Sequence, residues 1–233
     1  MTVQTAEPTR AEIRRQQRQA LIVAAAEAQL GEAGLAGMTL ERVGNRVGLS
    51  KTALYYYVDS RDGLLALILA DVLAGVQTDA DARVGAGARP VERLTAFARA
   101  HVHAAVERPA GQLILANVEL VASHAPSSVL LAGHEQAGRR LIEAAMAAGQ
   151  LRPLRAGLAT SVMFGALNTL CRAYKPDGPL GLDEAIDATL DLLLHGWLDP
   201  ADDAAAATTT RRSPAGNGNG TTSNTSNEQG KRR

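Results

Sequence analysis

Closely spaced helix starts within one segment, TLERVGNRVGLSKTALYYYVDSRDGLL, restrict the possible fold of this 233-residue chain more than any other feature. Thr39 and Ser50 are residue types that cap helix N-termini, and Asp59 or Ser60 begins a longer helix. Gly48 ends the first short helix, since glycine readily adopts the left-handed conformation that follows a helix. Two short helices joined by the turn "VGLS" are the helix-turn-helix arrangement.

The rest of the chain favours helices as well. Leu and Ala dominate and aromatic residues make up 3% of the sequence, a composition that indicates an all-α protein. Thr9 and Glu12 have the spacing of a capping box, which starts a first helix over 10–33. Its predicted buried side consists of Ile13, Leu21, Ala24, Ala25 and Ala28. After the opening segment, helices are predicted at 90–107, 110–123, 126–149, 155–174 and 183–198.

Composition and helix pattern divide the chain into four segments. We expect a flexible N-terminal arm (1–9), a helix-turn-helix domain (10–65), a larger helical domain (66–200) and a disordered tail (201–233). The tail is predicted to be disordered because Ala, Thr, Ser, Asn and Gly bury too little apolar surface to offset the entropy of ordering. The formal net charge of the chain is zero, so any nucleic-acid surface must be local.

Several features bear on compartment and cofactors. Cys171 is the single cysteine, so no internal disulfide can form and a reducing compartment is expected. The first twenty residues are polar, and the longest charge-free run, 156–171, is too short for a membrane span. His101 and His103 lie on different helix faces, and there is no Cys-rich metal pattern. We therefore predict a cytoplasmic protein with no cofactor, no metal and no membrane partner.

The second short helix has two distinct faces when each residue is turned by ~100°. One face is apolar and can pack on the preceding helix: Leu54, Tyr57 and Val58. The opposite face is polar and points outward: Lys51, Thr52, Tyr55 and Tyr56. An ammonium group and hydroxyl groups suit phosphate oxygens and base edges of DNA, whereas a protein interface is the alternative use of exposed tyrosines.

Residues 39–64 resemble the DNA-binding domain of the TetR family of bacterial transcriptional regulators. The shared features are the threonine cap, the turn glycine, the second cap, Leu54-Tyr55 and Arg61, in that order. The resemblance implies that Thr39 and Arg61 contact phosphates. It also implies a set of residues at the DNA groove: Ser50, Lys51, Thr52, Tyr55 and Tyr56.

Four further arginines are candidate DNA contacts. Arg10, Arg14 and Arg15 belong to a basic cluster near the N-terminus, where some family members contact the DNA backbone or minor groove. Arg42 lies in the first motif helix and either reaches DNA or only solvates a helix face. Gly44 departs from the alanine that is usual in the family at this position.

For the larger domain, the resemblance implies an effector site and a dimer interface. The operator would be double-stranded DNA and the effector a small molecule, and the aliphatic composition favours an apolar one. Candidate ligand contacts are His101, Asn117, Phe164 and Asn168. Candidate dimer contacts on the last two helices are Val162, Gly165, Ala166, Leu190, Leu194 and Trp197, although part of each stripe must be intrachain core.

Two other functional classes compete with a repressor released by a small molecule. An enzyme is not expected, because no nucleophile elbow, phosphate-binding glycine loop or zinc-protease motif is found in the sequence. A helical adaptor would use Lys51, Tyr55 and Tyr56 as protein contacts. A salt titration of DNA binding separates the adaptor from the regulator, since phosphate contacts are strongly salt-dependent.

Overall fold

The computed structural model describes residues 9–195, and the described part of the chain contains α-helices and no strands. The helices are α1 (Arg10–Gly37), α2 (Leu40–Arg46), α3 (Lys51–Tyr55), α4 (Arg61–Ala82), α5 (Pro90–Glu107), α6 (Pro109–Ala116), α7 (Val118–Ser123), α8 (Ala125–Ala147), α9 (Ala156–Ala173) and α10 (Leu182–His195). The all-α prediction is therefore confirmed. The arm at 1–8, Trp197 and the tail lie outside the described residues.

The predicted helix caps of the motif are present. The side chains of Thr39, Ser50 and Ser60 each accept a hydrogen bond from a backbone N–H three residues later, at 3.0–3.3 Å. Gly48 has a φ of 66°, the left-handed conformation that the turn requires. Ser60 rather than Asp59 caps α4. Helix α3 ends at Tyr55, and Tyr56 is its C-cap with helical φ and ψ of −67° and −28°.

The first helix was predicted at the right place, but its predicted buried face was only partly right, since Ala25 is buried and Ala28 half-buried. The capping box of Thr9 and Glu12 is formed, and Gly34 breaks the helical geometry with a φ of 63°. Ile13, Leu21 and Ala24 are exposed, so their assignment to the core was wrong. The buried residues of α1 are Ile22, Val23, Ala25, Ala26, Gln29 and Leu30. Within residues 9–195, α1 packs against other helices only through its second half, which leaves the apolar residues before Ile22 uncovered.

Two hydrophobic clusters form the core, and α4 contributes to both. The first joins α1–α4 to α6 and α7, and it includes Leu54, Val58, Leu64, Ile114 and Val121. The second joins the C-terminal end of α4 to α5, α8, α9 and α10. Helix α4 is long and apolar enough to cross a membrane by length and composition, but its apolar face packs inside these clusters. The predicted boundary at residue 65 falls inside α4.

The single helix predicted over 110–123 is in fact two helices. Asn117 interrupts them with a non-helical φ of −125° and ψ of 28°. Its side-chain amide donates to the carbonyl of Leu113 at 2.9 Å, and its backbone N–H donates to the same carbonyl at 3.1 Å. Asparagine side chains compete with helical hydrogen bonding in this way, which explains the break. The remaining long helices agree with the prediction to within two residues where they are described.

Candidate functional site

The outer face of α3 is exposed as the sequence predicted. Lys51 and Thr52 are exposed, and Tyr55 and Tyr56 are 44% and 70% exposed. Leu54, by contrast, is 1% exposed within the first core cluster. The Lys51 ammonium lies 5.9 Å from the centroid of the Tyr55 ring, a cation–π contact that holds both side chains on one surface. We call Lys51, Thr52, Tyr55 and Tyr56 the α3 outer face.

Two capped helix starts border the α3 outer face. Thr39 Oγ1 accepts from the N–H of Arg42, and Ser50 Oγ accepts from the N–H of Ala53. A hydroxyl that accepts one hydrogen bond still has its own proton to donate. Both exposed hydroxyls can therefore donate to an anionic oxygen without giving up the cap.

The arginines near the motif differ in how far they are already engaged. Arg61 donates to the carbonyl of Leu35, and Arg42 donates to the carbonyl of Gly37 at 3.3 Å. Both bonds fasten a guanidinium to the C-terminal end of α1 and leave it partly free, because a guanidinium has five N–H groups. Arg46 instead forms a two-bond ion pair with Glu32, at 2.6 and 3.0 Å, and this pair lowers the pKa of the Glu32 carboxyl.

The basic cluster lies on the first turns of α1. Arg10, Arg14 and Arg15 are exposed, and Arg14 Nε donates to the carbonyl of Arg10 at 3.2 Å. The segment is an ordered helix start, since Glu12 completes the capping box with Thr9. The three guanidinium groups are therefore carried on a helix rather than on an extended arm.

Gly44 lies where α2 approaches the motif turn most closely. A Cβ at this position would stand 3.2 Å from the carbonyl oxygen of Leu49 and 3.4 Å from Cδ2 of Leu54. The helix and the turn thus pack almost backbone to backbone. This contact accounts for glycine at a position where helix propensity alone favours alanine.

A cavity of about 350 Å³ lies between helices α4 to α9. Its walls are mostly aliphatic and include Leu69, Val72, Ile114, Leu131 and Phe164. The polar residues among the lining are His101, Ser128, His134, Glu135 and Asn168. The volume and the few polar groups are typical of small-molecule sites.

Three helices bring His101, His134 and Asn168 into one hydrogen-bonded chain. Nε2 of His101 lies 2.9 Å from Oδ1 of Asn168, and Nδ1 of His101 lies 3.1 Å from Nε2 of His134. Burial lowers the pKa of His101, and burial together with the neighbouring His101 lowers the pKa of His134 from 6.5 to about 3. Both imidazoles are therefore neutral near pH 7.

Of the four predicted ligand contacts, His101, Phe164 and Asn168 line this cavity. Asn117 does not line it, because its amide is used in the local bond to Leu113. His134 was missed by the sequence reasoning. It falls at helical spacing between Leu131 and Gly138 on the inner face of α8, and this periodicity could have identified it.

The predicted dimer residues differ in exposure. Val162 is 52% exposed, and Gly165 is exposed with nothing within 4 Å of an added Cβ. Ala166 and Leu194 are half-buried, whereas Leu190 is 6% exposed and belongs to the second core cluster. Leu158, one turn before Val162, is 65% exposed. Of the predicted dimer residues that the structure describes, the exposed ones therefore lie on α9, and Leu190 contributes to the intrachain core.

Other chemistry is weakly represented in the described part of the chain. Between residues 9 and 195, no three His, Cys, Asp or Glu side chains converge as metal ligands do. Cys171 is half-buried, and burial raises the pKa of its thiol to about 11. The thiol is therefore protonated near pH 7 and is a poor nucleophile.

Two family profiles match the sequence in separate regions. Residues 22–68 match the profile described as bacterial regulatory proteins of the tetR family. Residues 87–197 match the profile described as the tetracyclin repressor-like C-terminal domain. The first match contains the whole helix-turn-helix, and the second contains α5–α10.

Known proteins give the same result. The HTH-type transcriptional regulator Rv1816 of Mycobacterium tuberculosis is 35% identical over 114 residues, which are 48% of this chain and 49% of that protein. The chain thus aligns with about half the length of the curated relatives it matches. The structure of the TetR family transcriptional regulator PfmR from Thermus thermophilus is 25% identical, with a TM-score of 0.56, over 76% of this chain and 99% of that one.

A third likeness concerns the fold alone. The structure of AibR in complex with isovaleryl coenzyme A and operator DNA is 20% identical, with a TM-score of 0.60, over 76% of this chain and 98% of that one. The arrangement of helices, the motif and both profile matches agree with one another. The chain belongs to the TetR family of bacterial transcriptional regulators and carries that family's helix-turn-helix DNA-binding domain.

Proposed function

We propose that the protein is a homodimeric, cytoplasmic repressor that binds a palindromic operator and is released when a small molecule enters the cavity. The DNA-binding part of this proposal rests on the two faces of α3, one exposed and polar and the other packed and apolar. Lys51 and Tyr56 are exposed while Leu54 is fully packed, so the polar side chains are held on a rigid helix. A helix of this kind can enter the major groove and present its outer face to base edges.

Contacts to the DNA backbone would surround this helix. The hydroxyls of Thr39 and Ser50 support phosphate binding because each keeps a free proton while it caps a helix. Arg61 and Arg42 are fastened near the same turn and have further N–H groups. Arg10, Arg14 and Arg15 would extend the basic surface along α1.

Release by an effector is supported by the position of the cavity. Helix α4 lines the cavity through Leu69 and Val72, and the same helix begins at Arg61 beside the motif. Residues 10–65 would then act as the DNA-binding domain and residues 66–200 as the effector and dimerisation domain. A ligand that prefers one position of α4 would shift the separation of the two recognition helices in the dimer.

The exposed apolar side of α9 is the surface that we assign to the dimer. A single helix-turn-helix contacts too little DNA for tight binding, and two units one helical turn apart, about 34–36 Å, read a palindrome. Val162, Gly165 and the neighbouring Leu158 offer apolar surface and close approach of backbones. Ala166, Leu194 and Trp197 would complete this surface, and Leu190 would support it from within.

The test is a salt titration of binding to DNA from upstream of the protein's own gene. We expect tight binding at low salt and a linear fall of log K with log salt, because counterions are released from phosphates. Lys51→Ala should weaken binding by about 1.5–3 kcal/mol as a lost charged contact, and Tyr56→Phe by about 0.5–1.5 kcal/mol as a lost hydroxyl. Fluorescence anisotropy measures both.

Lys175→Ala is the matched control, since Lys175 is an exposed lysine in the loop before α10. It removes the same charge far from the motif and should leave binding unchanged. If Lys51→Ala and Lys175→Ala weakened DNA binding equally, the role of Lys51 would be no more than non-specific attraction of a positive charge to DNA. Absence of salt-dependent binding to any upstream fragment would favour the adaptor.

A further inference from the structure

We propose that the cavity takes an uncharged, mainly apolar molecule whose hydroxyl group donates a hydrogen bond to Nδ1 of His134. This inference deepens the proposed function and rests on it for its regulatory meaning. The binding chemistry itself can be measured without DNA.

The hydrogen-bonded chain fixes which atom is free. Asn168 accepts through Oδ1, so His101 donates from Nε2. A neutral imidazole carries one proton, so Nδ1 of His101 must accept, and Nε2 of His134 donates to it. His134 then has its proton on Nε2, and its Nδ1 is an acceptor.

That acceptor is without a protein partner in the described residues 9–195. The hydrogen bonds of the described part of the chain include Nε2 of His134 and none to its Nδ1. His134 lines the cavity, and its ring packs against Phe97 and Phe164 at centroid distances of 4.9 and 5.3 Å. The ring is thus held by packing and by its Nε2 bond, which leaves one acceptor for a ligand.

The charges of the lining residues exclude anionic ligands, which are the main competing class. Among the described residues, the lining contains Glu135 as its one charged side chain and neither lysine nor arginine. A carboxylate or phosphate in this cavity would lose its hydration with no cation to pair with, which is costly. The neutral His101 and His134 cannot supply that cation near pH 7.

The walls determine the rest of the ligand. Leu73, Val76, Leu115, Val118 and Leu131 surround the polar chain with aliphatic surface. The volume of about 350 Å³ lies toward the small end of ligand sites, which span roughly 300–1,000 Å³. The class that fits is an alcohol or phenol with a compact hydrocarbon body, rather than a coenzyme A thioester with its phosphates.

The experiment compares three probes of similar size by isothermal titration calorimetry of the full chain without DNA. The probes are 1-octanol, its isomer 1-methoxyheptane, which cannot donate, and octanoate. We expect octanol to bind about 2–10-fold more tightly than the ether, the range of one neutral hydrogen bond. Octanoate should bind more weakly than octanol by at least about tenfold.

Variants test the two residues that carry the argument. His134→Leu should make octanol and the ether bind equally, whereas His195→Leu, an exposed histidine on α10, should keep the difference. Glu135→Lys should improve octanoate binding by about tenfold, and Gln136→Lys, the exposed next residue outside the lining, should not. If His134→Leu loses helicity, the comparison of alcohol with ether in the wild-type protein still tests the proposal.

Tighter binding of octanoate or of the ether than of octanol would overturn the proposal. So would failure of all three probes to bind at millimolar concentration. A protein that binds octanol as expected but shows no salt-dependent DNA binding would remove the proposed repressor and leave this site in place. A protein that shows salt-dependent DNA binding but prefers octanoate would remove this ligand proposal and leave the proposed repressor in place.

Discussion

Arg108 donates from Nη2 to Oε1 of Glu27 at 2.6 Å, and this bond joins the α5–α6 junction to α1. The same nitrogen donates to Oδ2 of Asp71 in α4 at 2.7 Å. One guanidinium therefore links the helix that starts the DNA-binding domain, the helix that lines the cavity and the turn beside that cavity. Arg108 and Glu27 are both half-buried, so water screens their pairing less than on an open surface.

The first prediction concerns this ion triad. Arg108→Met should lower the free energy of unfolding by about 1.5–3 kcal/mol, because two carboxylates lose a charged partner in a partly buried site. Urea denaturation with a constant m-value measures the loss. The control is Arg83→Met, which removes an exposed i,i+4 pair with Asp79 and should cost under about 1 kcal/mol. Similar losses in both variants would show that the triad adds nothing beyond a surface pair.

The second prediction concerns the packed side of α3. Leu54→Ala should lower stability by about 2–5 kcal/mol, since Leu54 is 1% exposed in the first core cluster. Thr52→Ala, two residues earlier on the exposed face, should change stability by less than about 0.5 kcal/mol. Thermal and urea unfolding measure both. A neutral Leu54→Ala would contradict the assignment of the two faces.

The third prediction concerns Gly111, where α6 approaches the end of α5. A Cβ there would lie 2.8 Å from the carbonyl carbon of Ala104 and 2.9 Å from Cα of Ala105, so the backbone would have to move. Gly111→Ala should destabilise the protein by about 1–3 kcal/mol. Gly31→Ala meets nothing within 4 Å in α1 and should stabilise by about 0.5–1 kcal/mol. We expect the two variants to change the free energy of unfolding in opposite directions, as measured by chemical denaturation.

The fourth prediction concerns pH. The pKa of His134 is lowered from 6.5 to about 3 by burial and by His101. Between these two pH values the unfolded chain therefore binds a proton at His134 that the folded protein does not bind. Stability from this group is fully present above about pH 6.5 and is lost as pH falls toward 3. We expect a loss of about 1–2 kcal/mol from His134 between about pH 7 and pH 5.

His134→Leu should make stability less sensitive to pH in that window, because it removes the buried imidazole. The window avoids the carboxyl groups of Glu12, Glu32 and Glu92, whose lowered pKa values affect stability only below about pH 4.5. Unfolding free energies measured at several pH values give the slope. An unchanged slope in His134→Leu would mean that this imidazole accepts a proton as easily in the folded state.

The fifth prediction concerns the dimer. Gly165→Glu should give a folded monomer, because the added side chain meets nothing within 4 Å in one protomer but would place an unpaired charge in the proposed interface. Gly133→Glu is the control, as Gly133 in α8 is equally open. Sedimentation with circular dichroism distinguishes the two. A dimeric Gly165→Glu would move the interface away from this part of α9.

Local sequence determined the helix-turn-helix almost completely. The caps at Thr39, Ser50 and Ser60 and the turn at Gly48 depend on hydrogen bonds and dihedral angles within a few residues, so residue type is enough to predict them. The two faces of α3 follow from helical spacing for the same reason. The break at Asn117 was also local, but it depends on a side-chain rotamer that residue type leaves open.

Tertiary structure decided the features that depend on distant segments. Ile13 and Leu21 have the spacing of a buried face, yet no helix within residues 9–195 covers them, and Leu190 lies in the intrachain core. His134 meets His101 only because α5 and α8 pack side by side, and Arg108 reaches Glu27 across 81 residues of chain. The spacing of apolar residues in the sequence predicts that a helix has an apolar face. Only the packed bundle determines which helix covers that face, and therefore which polar side chains meet inside it.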